Sequence, residues 1–265
     1  SQSSISNLNA GLMQAGSALQ LGALGDINNI GSAISGKTVQ LESTGGSINN
    51  ITQTEQWQAG GTGRRGESVS FSETQSGPMA GIMAQDDMIL RAGQDINITG
   101  ALVAAGDDLL MLAGNDLNLN AIETSQSASR GKSETHSTDN ARTTITAGGD
   151  LTLVAGQDIN SRAAGLAAEG DVAMQAGRDV NLMAIETTDG SSYKAKKKVE
   201  INESVRQDST EIVSGGNTTI VAGRDVNSKA AQVIASGDIG IGAGRDINLE
   251  TATESDYHFK EETKT

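Results

Sequence analysis

Cysteine is absent from these 265 residues, proline occurs once, and only five residues are aromatic: one Trp, two Tyr and two Phe. Without cysteine there can be no disulfide staple and no thiolate nucleophile or ligand. Compact domains of this length usually fill a wide core with large rings. A chain that avoids them must build a thin core from Ile, Val, Leu, Ala and Met, as an elongated solenoid does. No apolar run approaches the ~18 residues of a membrane-spanning helix. The opening SQSSISNLNA is polar and unlike an export signal, so either a chain not exported by itself or an internal piece of a longer polypeptide is expected. Basic residues are outnumbered, 19 Lys and Arg against 33 Asp and Glu, for a formal charge of −14. Such a chain is repelled by nucleic acid and by anionic membrane surfaces and stays soluble when crowded.

Repetition is what the chain has in place of these features. Ala-Gly-x-Asp-apolar-Asn occurs six times, starting at Ala92, Ala113, Ala155, Ala176, Ala222 and Ala243. Degenerate copies surround Ile27 and Ile48. The closing asparagines are Asn28, Asn49, Asn97, Asn118, Asn160, Asn181, Asn227 and Asn248, with gaps of 21, 48, 21, 42, 21, 46 and 21. A strict 21-residue spacing thus alternates with a longer one, which implies pairs of coils separated by insertions. Upstream of each hexapeptide runs an alternating segment such as Gly149-Asp150-Leu151-Thr152-Leu153. Its period of two is that of a strand with one buried face.

One such coil can neither bury its apolar face nor pair its own backbone, so coils must stack. The expected fold is all-β: a right-handed parallel β-helix of 21-residue coils, as one segment over 1–265, with a long β-hairpin inserted after every second coil. Stacking turns each repeated position into a ladder. The apolar position would make an aliphatic ladder, and the eight Asn a ladder of amides bonding coil to coil and satisfying corner backbone groups. Glycine before Asp would suit a corner of positive φ. A disordered chain needs no such periodicity. A calcium-binding roll needs a nine-residue period and six to eight converging oxygens, whereas each corner here carries one Asp.

The insertions fall at about 52–75, 122–143, 185–212 and 251–265 and are rich in Thr, Ser and Glu around central turn residues. Projecting two-stranded hairpins are expected, and because lone hairpins are marginal in water they should join into a side sheet. All five aromatics, Trp57, Phe71, Tyr193, Tyr257 and Phe259, lie in the insertions, as do His136 and His258. A narrow core that excludes rings accounts for this; a contact surface on the hairpins would also use such residues. The one dense basic run, Lys194 with Lys196, Lys197 and Lys198, sits among acids and reads as a solvated hairpin with cross-strand charge pairs.

No chemistry-bearing constellation is present. There is no nucleophile elbow and no phosphate loop, and the two His are far apart. Carboxylates recur at every corner instead of clustering irregularly, which argues for a structural role over a polysaccharide-active site. No catalytic residue, metal site, cofactor, nucleic-acid partner or small-molecule substrate is expected.

The Ala-Gly-x-Asp-Ile/Val-Asn-Leu coils, with Ala-Ile-Glu-Thr after Asn118 and Asn181, resemble the haemagglutinin repeats of filamentous-haemagglutinin-type exoproteins, which include the contact-dependent growth inhibition effectors of Gram-negative bacteria. The resemblance runs from about Gly16 to Thr265. It implies export through an outer-membrane two-partner secretion transporter, a filament on the cell surface, and a structural or interaction role in toxin delivery to neighbouring bacteria. The target cell's surface or outer membrane is then the implied partner. An adhesin stalk binding host or biofilm surfaces would share these repeats, and a polysaccharide-active β-helix enzyme is the third class.

Overall fold

The computed structural model describes residues 10–263. Residues 1–9, within the expected single segment, and 264–265, at the end of the fourth insertion, lie outside the described residues. Every regular element among the described residues is a strand. Three parallel sheets of eight strands each run along the molecule, and each coil contributes one strand to every sheet. The coil Leu102–Ala105, Leu109–Ala113, Leu117–Asn120 is representative. Its alternate residues Val103, Leu109, Met111, Leu117 and Leu119 point inward and are buried. The molecule is a parallel β-helix.

Equivalent residues lie in register from coil to coil. Ile48, Ile96, Leu117, Ile159, Val180 and Val226 form one continuous inner ladder. Each such side chain contributes roughly 1.5–3 kcal/mol by leaving water. None of the five aromatic residues belongs to the core.

Corners set the pairing of coils. Within a pair, the turn from the third sheet back to the first begins with one left-handed residue: Gly31 (φ 57°), Gly100 (φ 54°), Ala163 (φ 51°) or Ala230 (φ 55°). Between pairs, the same corner opens outward into a hairpin. The hairpins are Thr54–Thr62 with Ser68–Ser76, Ile122–Arg130 with Ser133–Ala141, and Ile185–Ala195 with Lys198–Asp208. Together with Ser255–Glu262 they form one seven-stranded antiparallel sheet beside the coil stack.

Two expectations need correction. The expected insertions take in Thr52, Thr143 and Ile212, which belong to the coils. Ile212 is fully buried within the strand Glu211–Ser214. Buried Thr52 accepts the Ala80 amide at 2.8 Å, and buried Thr143 donates to the Asn120 carbonyl at 2.7 Å. Polar residues at the hairpin roots therefore satisfy buried backbone groups, although in sequence they resemble the exposed arms. The glycines of Ala-Gly-x-Asp, in turn, are not in the left-handed region. They are required by close approach: a Cβ on Gly114, Gly156, Gly177, Gly223 or Gly244 would overlap the carbonyl of the equivalent glycine in the preceding coil.

Gly177→Ala should accordingly destabilise the stack by about 1–3 kcal/mol, the cost of overpacking. Ala230→Gly should stabilise it by up to about 1 kcal/mol by relieving a left-handed alanine. Denaturant unfolding followed by circular dichroism measures both, and opposite signs are expected.

Candidate functional site

The repeated polar residues form three hydrogen-bonded ladders on the coil surface. The asparagine side chains bond in sequence, each Nδ2 donating to the Oδ1 of the preceding coil: Asn49 to Asn28, Asn97 to Asn49, Asn118 to Asn97, Asn160 to Asn118, Asn181 to Asn160, Asn227 to Asn181 and Asn248 to Asn227. All these distances lie between 2.7 and 2.9 Å. These residues sit within the third-sheet strands, facing outward.

The corner amides are met by aspartates. Between the second and third sheets, the amides of Asp116, Asp158, Asp179, Asp225 and Asp246 donate to the carboxylates of Asp95, Asp116, Asp158, Asp179 and Asp225 respectively. Between the first and second sheets, Asp87, Asp108, Asp150, Asp171 and Asn217 accept from the amides of Asp108, Asp150, Asp171, Asn217 and Asp238. Each of these side-chain oxygens, four carboxylates and the Asn217 amide oxygen on this second corner, thus caps the coil that follows it, and the direction never reverses.

Arginine strengthens the later rungs. Arg178 clamps Asp158 through Nε at 3.1 Å and Nη2 at 2.6 Å. Arg224 holds Asp179, and Arg245 holds Asp225, in the same forked way. This bidentate geometry matches the guanidinium to a planar carboxylate. The hydrogen bond from Arg224 holds the Asp179 carboxyl below the usual carboxylate range, and Arg245 does the same for Asp225. The position preceding Asp is Gln94, Asn115 and Gln157 in earlier coils, so the clamps belong to the later part of the stack.

One corner gathers charge of a single sign. The carboxylates of Asp87, Asp107 and Asp108 lie within 4.8 Å of one another, all exposed. The neighbouring Asp108 charge, chiefly, pushes the Asp107 carboxyl up. Asp87 and Asp108 already accept backbone amides, so this trio is part of the ladder rather than an isolated constellation.

The projecting sheet divides the aromatics. Phe71 stands opposite Ala59 and Ala128, and the row continues through Thr135, Ser191, Asn202 and His258. Residues two positions away share its face, so Trp57, Phe71 and Tyr193 lie on one side. Tyr257 and Phe259, which flank His258, lie on the other. The structure therefore does not bring the five together. Tyr193 carries the Lys198 ammonium 5.8 Å from its ring centroid, and Lys198 pairs with Glu200 at 2.9 Å. Tyr257 and Phe259 are exposed beside Ile201. His136, opposite Ser127, falls on the face away from His258, so the two His do not share a site.

Sequence models of the haemagglutinin repeat match residues 1–60, 59–130, 124–205 and 190–265. The chain belongs to the haemagglutinin-repeat family. Among similar proteins, a 16S rRNA endonuclease CdiA of Enterobacter cloacae subsp. cloacae is 58% identical over 270 residues, covering all of this chain. A toxin CdiA of Escherichia coli is 54% identical over 99% of the chain. A deoxyribonuclease CdiA of Dickeya dadantii is 38% identical over 87% of it. The chain spans only 7–8% of the length of these curated relatives. No solved structure matches. For a haemagglutinin repeat, the aspartate role was the part hidden in the sequence: recurrence was visible, but not that the acceptor is a carboxylate and the donor the next coil's own Asp amide.

Asp179 and Asp225 titrate below their unfolded values, so their contribution is present at neutral pH and is lost as pH falls through the acid range. Arg224→Gln removes the group chiefly responsible for the Asp179 shift. It should move the acid unfolding transition to higher pH, read by circular dichroism between neutral pH and pH ~2, while the neutral-pH spectrum stays that of the parent.

Proposed function

We propose that this chain is a structural and interaction segment of a secreted bacterial surface filament that supports toxin delivery to neighbouring bacteria in contact-dependent growth inhibition. The observation that carries this reading is the company the segment keeps. It recurs in a protein named for cleaving 16S rRNA and in one named a deoxyribonuclease. A segment common to both is not what sets their named activities apart. In this chain the segment is a stack of coils whose recurring corner aspartates accept the backbone of the next coil. A stalk needs such a stack, and a catalytic site would need acids free to meet a substrate.

The same reading makes an outer-membrane two-partner secretion transporter the export partner and the target-cell surface the point of contact. The three ladders are built only when consecutive coils meet, so nothing in the fold requires a preformed globular core. That suits a chain passing outward as an extended polypeptide. Tyr193, exposed on the face that also holds Trp57 and Phe71, favours as a second reading an adhesive surface on the projecting sheet.

In a full-length toxin bearing this segment, in-frame removal of the region equivalent to 12–263 should abolish growth inhibition of target cells in co-culture. Surface immunolabelling of the same strain should still detect the protein. Removing only residues 81–143, one coil pair with its hairpin, keeps the register of the remainder and should leave export intact. Undiminished inhibition without the whole segment would count against a delivery role. Loss of cell binding alone would favour the adhesive reading.

A further inference from the structure

Positive charge collects on one rim of the projecting sheet. Arg64 and Arg65 lie in the first hairpin turn, Arg130 and Lys132 flank the second, and Lys194, Lys196 and Lys197 crowd the third. Neighbouring tips are joined: the Gly131 amide donates to the Ser68 carbonyl at 2.8 Å, and the Lys194 amide to the Lys132 carbonyl at 2.9 Å. Each hairpin is two strands wide, so the tips recur at about 9.6 Å. The acids near this rim are Glu67, which Arg130 holds, Glu134, and Glu261 and Glu262 on the last strand. Lys198 and Glu200 pair with each other. Seven bases thus stand against four acids, in a chain whose overall balance is the reverse. Arg64, Arg65, Lys132, Lys194 and Lys196 are exposed and, among the described residues, make no ion pair.

A surface of opposite sign lies on the stack. The corner between the first and second sheets carries Asp86 and Asp87 in one coil, Asp107 and Asp108 in the next, Asp150 in the third, and Glu169 and Asp171 in the fourth. Lys37 pairs with Asp86 at 3.6 Å, and ladder amides bond Asp87, Asp108, Asp150 and Asp171 without removing their charge. Beside this corner Ile89 and Leu110 face outward. With Asp87, Asp108, Asp150 and Thr152 they line a hollow of about 360 Å³. Leu112 and Val154 continue the apolar floor on the same sheet. Carboxylates over an aliphatic floor suit a partner that brings cations on long alkyl stems, as Lys and Arg do.

We propose that the basic hairpin tips of one copy dock on this acidic corner of a second copy, the two stacks lying side by side with their axes aligned. The spacings agree. Corner carboxylates repeat every ~4.8 Å and tips every ~9.6 Å, so successive tips meet every second rung. Lys132 and Lys196 stand one hairpin apart, and Asp107 and Glu169 stand two coils apart. Such contact relieves the like-charge crowding that pushes the Asp107 carboxyl up. Two chains of charge −14 repel at long range, but exposed charges more than ~8 Å apart are largely screened at physiological salt. Arms of nine to eleven residues hold the tips roughly 30 Å from the coils at ~3.4 Å per residue. A tip therefore responds to the surface it touches and not to its own stack. Both surfaces lie on the flanks of the stack, whereas coils follow one another along its axis, so neighbouring coils lie beside these two rows and not over them. The surfaces are unlike and separate, so one copy can take a neighbour on each, and assembly is open-ended.

This contact goes beyond the delivery role and is tested separately from it, on the purified 265-residue chain. At about 0.1 M salt, where the screening length is ~10 Å, the parent should sediment as oligomers that grow with concentration. At about 1 M salt, where that length falls to ~3 Å, they should dissociate to monomer. Lys132→Glu with Lys196→Glu, and separately Asp107→Lys with Glu169→Lys, should each weaken association about ten-fold or more. An exposed ion pair is worth up to about five-fold, and each reversal turns an attraction into a repulsion. None of these four side chains serves a ladder, so circular dichroism should stay that of the parent. An equimolar mixture of the two variants should associate as the parent does, because each supplies the charge that the other needs. A parent that is monomeric at ~0.1 M salt up to its solubility limit would overturn the contact. So would variants that associate like the parent, or a mixture that stays dissociated. A monomeric parent that co-sediments with phosphatidylglycerol vesicles through Lys132 and Lys196 would instead assign the tips to an anionic lipid surface. None of these results bears on the co-culture test.

Discussion

The spacing between stacked parallel strands, about 4.8 Å, governs nearly everything in this molecule. At that distance each residue faces its own equivalent one coil away, so a residue type is admissible only if it tolerates itself above and below. Aliphatic side chains do, and they line the axis. Asparagine does, because its amide donates in one direction and accepts in the other. A bare column of aspartates would repel itself. The column persists here because each carboxylate turns to the backbone amide of the next coil, and in the later coils to an arginine fork as well. Where three carboxylates crowd together without such a fork, at Asp87, Asp107 and Asp108, the strain appears as a carboxyl that holds its proton more tightly.

The same constraint explains which features were legible in the sequence. Periodicity is what stacking requires, so the coil length, the paired arrangement and the inward aliphatic positions could be read from spacing alone. The reasons for individual residues were less accessible. Glycine in Ala-Gly-x-Asp suggests a left-handed corner, yet its role is to let one coil's corner lie against the previous carbonyl. The left-handed positions are elsewhere, and two of them are alanines, Ala163 and Ala230, which carry no glycine signal. Thr52 and Thr143 look like arm residues because their partners, the Ala80 amide and the Asn120 carbonyl, are brought near only by stacking. The division of the five aromatics between two faces depends on hairpin register, which composition does not encode.

Coils and arms therefore obey different rules. In the coils, a substitution is felt by the identical position above and below, and the cost of a misfit is passed along the axis. In the arms, the sheet is antiparallel, unlike residues face one another, and both surfaces are open to water. Trp57 can stand opposite Glu73, and Tyr193 opposite Glu200, without a matching ring in the next hairpin. Rings, histidines and the lysine run collect where self-tolerance is not demanded.

Why a hairpin follows every second coil, and not every coil, also comes from the strand spacing. A hairpin is two strands wide, so it extends the side sheet by twice the inter-strand distance, about 9.6 Å. Two coils advance the stack by the same amount. One hairpin per two coils therefore keeps the side sheet commensurate with the helix, and Ser68–Ser76 meets Ile122–Arg130, as Ser133–Ala141 meets Ile185–Ala195, without a gap or an overlap. A hairpin from every coil would need twice the room available, and one from every third would leave strands unpaired in water. The alternation of 21 with 42 to 48 residues in the asparagine spacing is the sequence record of that fit between two sheets growing along one axis.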